Sequence, residues 1–185
     1  MRKFLSTYWF LFLIAGIIIV SDQITKQIVR TNLEIGQTWM PLEWLAPYAR
    51  FINWHNTGVA FVMFQGMGWV FAILAAIVSV GLIIYYPRLH QGSWLIRLAM
   101  GLMLGGAVGN LIDRIYQGFV TDFISLGSFP VFNVADGSIT VGVIVLILGM
   151  WRTEQKEKQR QIDQLAASTP DKLEADCAQP PNQYE

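Results

Sequence analysis

Four long apolar runs, separated by polar stretches of unequal length, organise the sequence. A helix needs roughly 20 mainly apolar residues to cross the hydrocarbon core of a bilayer. Segments at about 8–29, 69–86, 94–112 and 134–151 meet that condition and predict four membrane-spanning helices. The second, WVFAILAAIVSVGLIIYY, holds no charge. The third contains LAMGLMLGGAVGN, where Gly101, Gly105 and Gly109 recur every four residues and predict a smooth stripe for close helix packing. The first run follows a basic start, Arg2-Lys3, but ends in Ser21-Asp22-Gln23 with no small-x-small cleavage pattern. It therefore predicts a retained helix rather than a removed leader.

The polar stretches differ in kind. Residues 30–68 carry Trp39, Trp44, Tyr48, Phe51, Trp54, Phe61 and Phe64, the aromatic mix of a membrane–water interface. Within them Arg50–Asn56 reads as a strand, and Gly58 invites a turn. The loop at 113–133 adds short β-like runs broken by Gly118, Gly127 and Pro130. Pro87 to Ser93 predicts a tight turn. From Thr153 onward the chain turns polar, starting as a charged helix extension and expected to become disordered. The predicted fold is a membrane all-α bundle of four transmembrane helices, with a small extramembrane β-sheet on the outer face. It forms one domain over 1–152, followed by a polar cytoplasmic tail over 153–185.

Composition supports this reading. The chain is 54% hydrophobic and 14% charged, where soluble proteins average about 25% charged. Basic residues near the span ends number eight on one side (Arg2, Lys3, Arg88, Arg97, Arg152, Lys156, Lys158, Arg160) and four on the other (Lys26, Arg30, Arg50, Arg114). That bias predicts both termini in the cytoplasm. No basic patch suggests a nucleic-acid partner. The single cysteine, Cys177, excludes an intrachain disulfide or a cysteine cluster. His55 and His90 fall on opposite sides of the predicted membrane, so no metal site and no cofactor are expected.

The acids carry the chemistry. Ionisable groups in membrane spans are costly, and each is a candidate functional residue. Asp22, Asp113, Asp122 and Asp136 come from three helices and a loop, yet this topology brings all four to the outer interface. Asp22 has Lys26 four residues on, and Asp113 is followed by Arg114, so both have cations to hold them ionised. Asp122 and Asp136 have no neighbouring cation. They are the candidate carboxylate pair, and two close carboxylates share one proton. The ionised member activates water and the protonated one polarises a carbonyl, which is aspartic peptidase chemistry. Asp136 also reads as an N-terminal helix cap. The amides of Asn56, Asn110 and Asn133 can donate to carboxylates, grip substrate or satisfy loop backbone. Two other readings stand beside this one. A proton- or ion-coupled transporter also uses membrane aspartates, though commonly nearer the midplane. A non-enzymatic docking factor would use the outer sheet.

Five blocks in order then resemble the bacterial lipoprotein signal peptidases, or signal peptidase II. They are Asp22-Gln23-Ile24-Thr25-Lys26; Asn56-Thr57-Gly58-Val59-Ala60-Phe61; Gly105 to Arg114; Gly118 to Phe123; and Phe132-Asn133-Val134-Ala135-Asp136. Val59 stands where that family is expected to carry alanine, and the tail after Arg152 is longer than expected. The resemblance covers about residues 5–152. It implies a metal-free endopeptidase of the bacterial cytoplasmic membrane, with its site near the outer leaflet. It also implies diacylglyceryl-modified prolipoproteins as substrates, cut before the lipid-bearing cysteine, and membrane lipid as surroundings. Asp122 and Asp136 match the catalytic pair. Asp22, Lys26, Asn56, Gly58, Asn110, Asp113, Arg114, Asn133 and Ala135 fall in the matching blocks as residues that bind substrate or support the site.

Overall fold

The structure, a computed structural model, describes residues 2–58, 67–89 and 93–177. Its elements are α1 (Arg2–Asn32), β1 (Thr38–Trp39), a 3-10 turn (Glu43–Leu45), β2 (Ala49–Asn56), α2 (Gly68–Leu89), α3 (Trp94–Gln117), β3 (Val120–Leu126) and α4 (Val134–Cys177). All four helices contain stretches long and apolar enough to span a bilayer.

The third helix is the centre of the bundle. It packs against α1, α2 and α4, and 56% of its apolar window is buried, against 11–22% in the other three. Its glycines explain the tight fit. A Cβ at Gly101 would stand 2.7 Å from Ile14, one at Gly105 2.7 Å from Ile18 and one at Gly109 2.8 Å from the Asp22 carboxylate. The stripe thus faces α1 along its whole length, as the four-residue spacing predicts. Small residues matter here because lipid tails are as apolar as leucine, leaving close packing to hold helices together. Gly142 and Gly149 of α4 make matching approaches to Met103 and Ile96 of α3.

At the end of the bundle away from the sheet, Leu11, Ala15, Tyr86, Ile96, Met100 and Leu104 form a buried apolar cluster. Here α2 runs through Pro87 to Leu89, so the turn begins later than the proline suggests. Proline has no N–H to give the carbonyl four residues back. The Tyr8 hydroxyl donates to that carbonyl, Ile83 O, at 3.3 Å. His90, within the expected turn, lies outside the described residues, as do Phe61 and Phe64.

Observed helices extend beyond their apolar cores. The longest continuation is in α4, which runs past the span ending near Trp151, along the charged extension expected from Thr153, to Cys177. The polar segment from Thr153 to Cys177 continues the helix; Glu154 and Lys158 pair at 2.7 Å along it, and Gln159 donates to Asp163 at 2.8 Å. Such i,i+4 pairs support the helix over the exposed residues 154–165.

The three strands form one antiparallel sheet in the order β1-β2-β3. Thr38 and Trp39 extend the predicted β2 strand by a short partner, and Trp39 stacks on Phe51. Only one strand forms in the second loop; the run around Phe132 contributes a single bridge to Ile124. Between Phe51 and Trp54 the β2–β3 register slips, with Phe51 opposite Ile124 and Trp54 opposite Asp122. Three residues of β2 advance where β3 advances two, which is a β-bulge. Without it His55 would flank Asp122 diagonally. With it, Asn56 does.

Candidate active site

The two candidate carboxylates meet at the start of α4. Asn133 precedes that helix and caps it: its Oδ1 accepts the Asp136 N–H at 2.9 Å, while Asp136 Oδ2 accepts the Asn133 N–H at 3.2 Å. This reciprocal arrangement is a capping box with aspartate in the third helical position. The sequence suggested Asp136 as the cap, but Asn133 holds that position. The Asn133 Nδ2 then donates to Asp122 Oδ1 at 2.6 Å and to Asn110 Oδ1 at 3.2 Å. One fully buried asparagine therefore ties both aspartates together.

Two further amides complete the ring. Asn110 Nδ2, from α3, donates to Asp136 Oδ1 at 2.8 Å. Asn56 Nδ2, at the end of β2, donates to Asp122 Oδ2 at 2.8 Å. Gly58 N–H donates to Asn56 Oδ1 at 3.0 Å, an Asx-type turn that keeps the NH₂ group facing Asp122. All three asparagines thus serve carboxylates. Burial, and then the charge of Asp136, push the Asp122 carboxyl up to about 7, against the opposing pull of the two amides and Lys26.

The cations stand one layer back. Lys26 Nζ lies 2.8 Å from Asp22 Oδ2 and 3.1 Å from Asp113 Oδ2, and none of the three side chains has exposed surface. Arg30 reaches Asp113 at 3.4 Å and also donates to Thr121 Oγ1. Asp113 accepts the Thr121 N–H at 3.1 Å, so it anchors β3 one residue before Asp122. Asp22 accepts the Ala135 N–H at 3.0 Å, satisfying an otherwise unpaired donor in the first turn of α4. Ala135 itself is buried, its methyl close to Gly109.

Asp22 pairs with Lys26 as predicted. Asp113 does not pair with Arg114: its cations are Lys26 and Arg30. Arg114 instead donates to its own helix at Asn110 O, 3.3 Å away, and lies 5.8 Å from the Phe71 ring centroid on α2. Three contributors went unnoticed in the sequence. Arg30 had a signal, because Asp22, Lys26 and Arg30 fall four apart on one helix face. Gln23 bridges Asp22, Asp113 and Gly109 O through a single NH₂ group, and adjacency to Asp22 does not reveal that. Thr121 acts through its backbone N–H as well as its hydroxyl, and the backbone contact leaves no local signature. Among the described residues no cluster of three or more His, Cys, Asp or Glu is arranged to hold a metal ion.

The aspartate pair, the amide ring and the charge layer all lie within residues 22–136. A family model described as signal peptidase (SPase) II matches residues 14–152. The chain belongs to the signal peptidase II family. The lipoprotein signal peptidase of Bacillus subtilis (strain 168) is 39% identical over 155 residues, covering 81% of this chain and 98% of the relative. That of Anoxybacillus flavithermus is 40% identical over 156 residues, covering 82% and 90%. A bacterial membrane enzyme solved by the in meso method at 2.3 Å resolution superposes with a TM-score of 0.71 at 32% identity, covering 77% of this chain and 87% of the solved one. Membership of signal peptidase II makes this multi-pass membrane protein a peptidase and leaves the transporter reading without support.

Proposed function

We propose that this signal peptidase II is an aspartic endopeptidase that removes signal peptides from diacylglyceryl-modified prolipoproteins, cutting before the lipid-bearing cysteine. The observation that carries the reading is the bridge by Asn133: one residue hydrogen-bonds both Asp122 and Asp136. The groups hydrogen-bonded to the pair are neutral amides, while the cations are engaged by Asp22 and Asp113. Cations in direct contact would hold both carboxylates ionised; amides allow one to keep a proton.

The reaction then follows. Asp136 sits in the first turn of α4, where the helix end favours negative charge. It takes a proton from water as the water oxygen bonds to the scissile carbonyl carbon. Asp122, buried and protonated, gives its proton to the carbonyl oxygen, forming a neutral gem-diol. The proton on Asp136 passes to the leaving nitrogen as the C–N bond breaks, and a diol proton returns to Asp122. The pair ends with the single proton it began with. Asn56, Asn110 and Asn133 hold the carboxylates in place, Gly58 orients Asn56, and Asp22, Lys26, Asp113 and Ala135 brace the elements that carry them. Arg114 is the cation left to grip substrate.

In our reading both termini are cytoplasmic and the site lies near the outer leaflet, at the depth where a lipid anchor would hold the cysteine. A gel-shift cleavage assay in detergent tests the proposal, using a prolipoprotein with and without its diacylglyceryl group. Cleavage of the lipidated form alone, unaffected by EDTA, is the expected result. Equal cleavage of both forms would refute the substrate assignment, and inhibition by EDTA the metal-free mechanism.

A further inference from the structure

Two adjoining cavities lie apart from the aspartate pair, where the end of α1 meets the sheet. The first is an apolar groove of about 590 Å³ between Ile28 and Val29 of α1 and Trp39, Phe51 and Phe123 of the sheet. Ile28 is 55% exposed, on a side of α1 where Ile24 and Ile17 are exposed too, so the groove opens toward lipid. The second, of about 530 Å³, is lined by Arg30, Glu34, Asn53, His55 and Phe119. Asn32 and Leu33 wall both, making one site with an apolar and a polar half.

The polar half carries both signs. Arg30 supplies a cation and Glu34 an exposed carboxylate. Two buried atoms of its wall residues have no hydrogen-bond partner, the Arg30 Nε donor and the Asn53 Oδ1 acceptor. A ligand with an anionic acceptor and a cationic donor would match the charges of Arg30 and Glu34. His55, stacked on Phe119 at 3.8 Å, adds a ring; burial, and then Arg30, lower its pKa and keep it neutral.

We propose that this composite cavity binds a phosphatidylethanolamine of the leaflet on the sheet side. An acyl chain fills the groove, the phosphate meets Arg30, and the ammonium meets Glu34 and Asn53. A zwitterionic headgroup matches the paired charges, and the chain extends an apolar surface already facing the bilayer. Arg30 also holds Asp113, so the lipid would brace the end of α1 on which β3 rests. The site stands independently of the peptidase chemistry.

Native mass spectrometry of delipidated protein tests this, with phosphatidylethanolamine, phosphatidylglycerol and diacylglycerol supplied in turn. Phosphatidylethanolamine should be retained about fivefold more strongly than either of the others, the scale of one exposed charge pair. Glu34→Lys should reverse the preference toward phosphatidylglycerol, and Ile28→Trp should weaken retention of both phospholipids by closing the groove. Circular dichroism confirms that each variant is folded before it is compared. Equal retention of diacylglycerol, a wild-type preference for phosphatidylglycerol, or insensitivity to either substitution would overturn the proposal.

Discussion

Lys26 donates to Asn110 Oδ1 at 2.9 Å, and this settles which way the Asn110 amide faces: its NH₂ group is left to Asp136. The charge layer and the aspartate pair are therefore coupled through one amide. The same ammonium neutralises two carboxylates that have no exposed surface.

Replacing Lys26 by Met should accordingly destabilise the fold by about 3–5 kcal/mol, because removing one partner leaves buried charge uncompensated. Adding Asp22→Asn should recover part of the loss. Thermal unfolding in detergent reports both; a double variant no more stable than the single one would mean that Asp22 is not held by Lys26.

Asp122→Asn and Asp136→Asn should behave differently from that variant. Each removes a proton-transfer group and should lower turnover by about 10²–10⁴-fold while the protein stays folded and retains substrate. Asp113→Asn should instead lower the unfolding temperature, since Asp113 binds Lys26, Arg30 and the Thr121 N–H. Equally stable, equally inactive Asp113 and Asp122 variants would contradict this division of roles.

The pH dependence has a definite sign. Asp122 is raised from an ordinary 3.8 to about 7, so the folded protein binds more protons than the unfolded chain between those values. Its contribution to stability is full below 3.8 and is lost as pH rises through about 7. Activity should follow, falling along an alkaline limb above about pH 7 as the pair loses its shared proton. Asp122→Asn should flatten this part of the stability profile. A rate independent of pH from 4 to 8 would remove the protonated aspartate from the mechanism.

Gly109→Ala probes the approach of α1 to α3. The added Cβ would stand 2.8 Å from Asp22 Oδ2, displacing the carboxylate that holds the Ala135 N–H and thereby the start of α4. Activity should drop and stability should fall by about 1–3 kcal/mol, the usual cost of overpacking. Gly16→Ala is the control, because a Cβ there meets nothing within 4 Å. Alanine favours a helix over glycine, so Gly16→Ala should not destabilise, and an equal loss at the two positions would show that the approach to Asp22 is not responsible.

Much of this arrangement was legible in the sequence, for physical reasons. Apolar length locates the spans, and the four-residue spacing of Gly101, Gly105 and Gly109 marks the face that meets α1. The exclusion of charge from membrane makes each of the four aspartates conspicuous. What stayed hidden depends on long-range geometry. Adjacency suggested Arg114 as the partner of Asp113, yet neighbours on a helix point about 100° apart, and the cations came from α1. Apolar run length locates the span of α4 but not how far the charged extension continues past it, where pairs such as Glu154–Lys158 support exposed turns.

The irregularity in β2 has a consequence for how this catalytic centre tolerates change. One extra residue between Phe51 and Trp54 determines whether an amide or an imidazole flanks Asp122. Straightening the strand with Phe51 still opposite Ile124 would carry His55 into the place of Asn56, opposite Val120, without altering either side chain. The centre would then exchange an amide donor for an imidazole, which can also accept a proton. A frameshift of one residue within a strand, leaving every catalytic group intact, is enough to change the class of acid–base chemistry available to the enzyme.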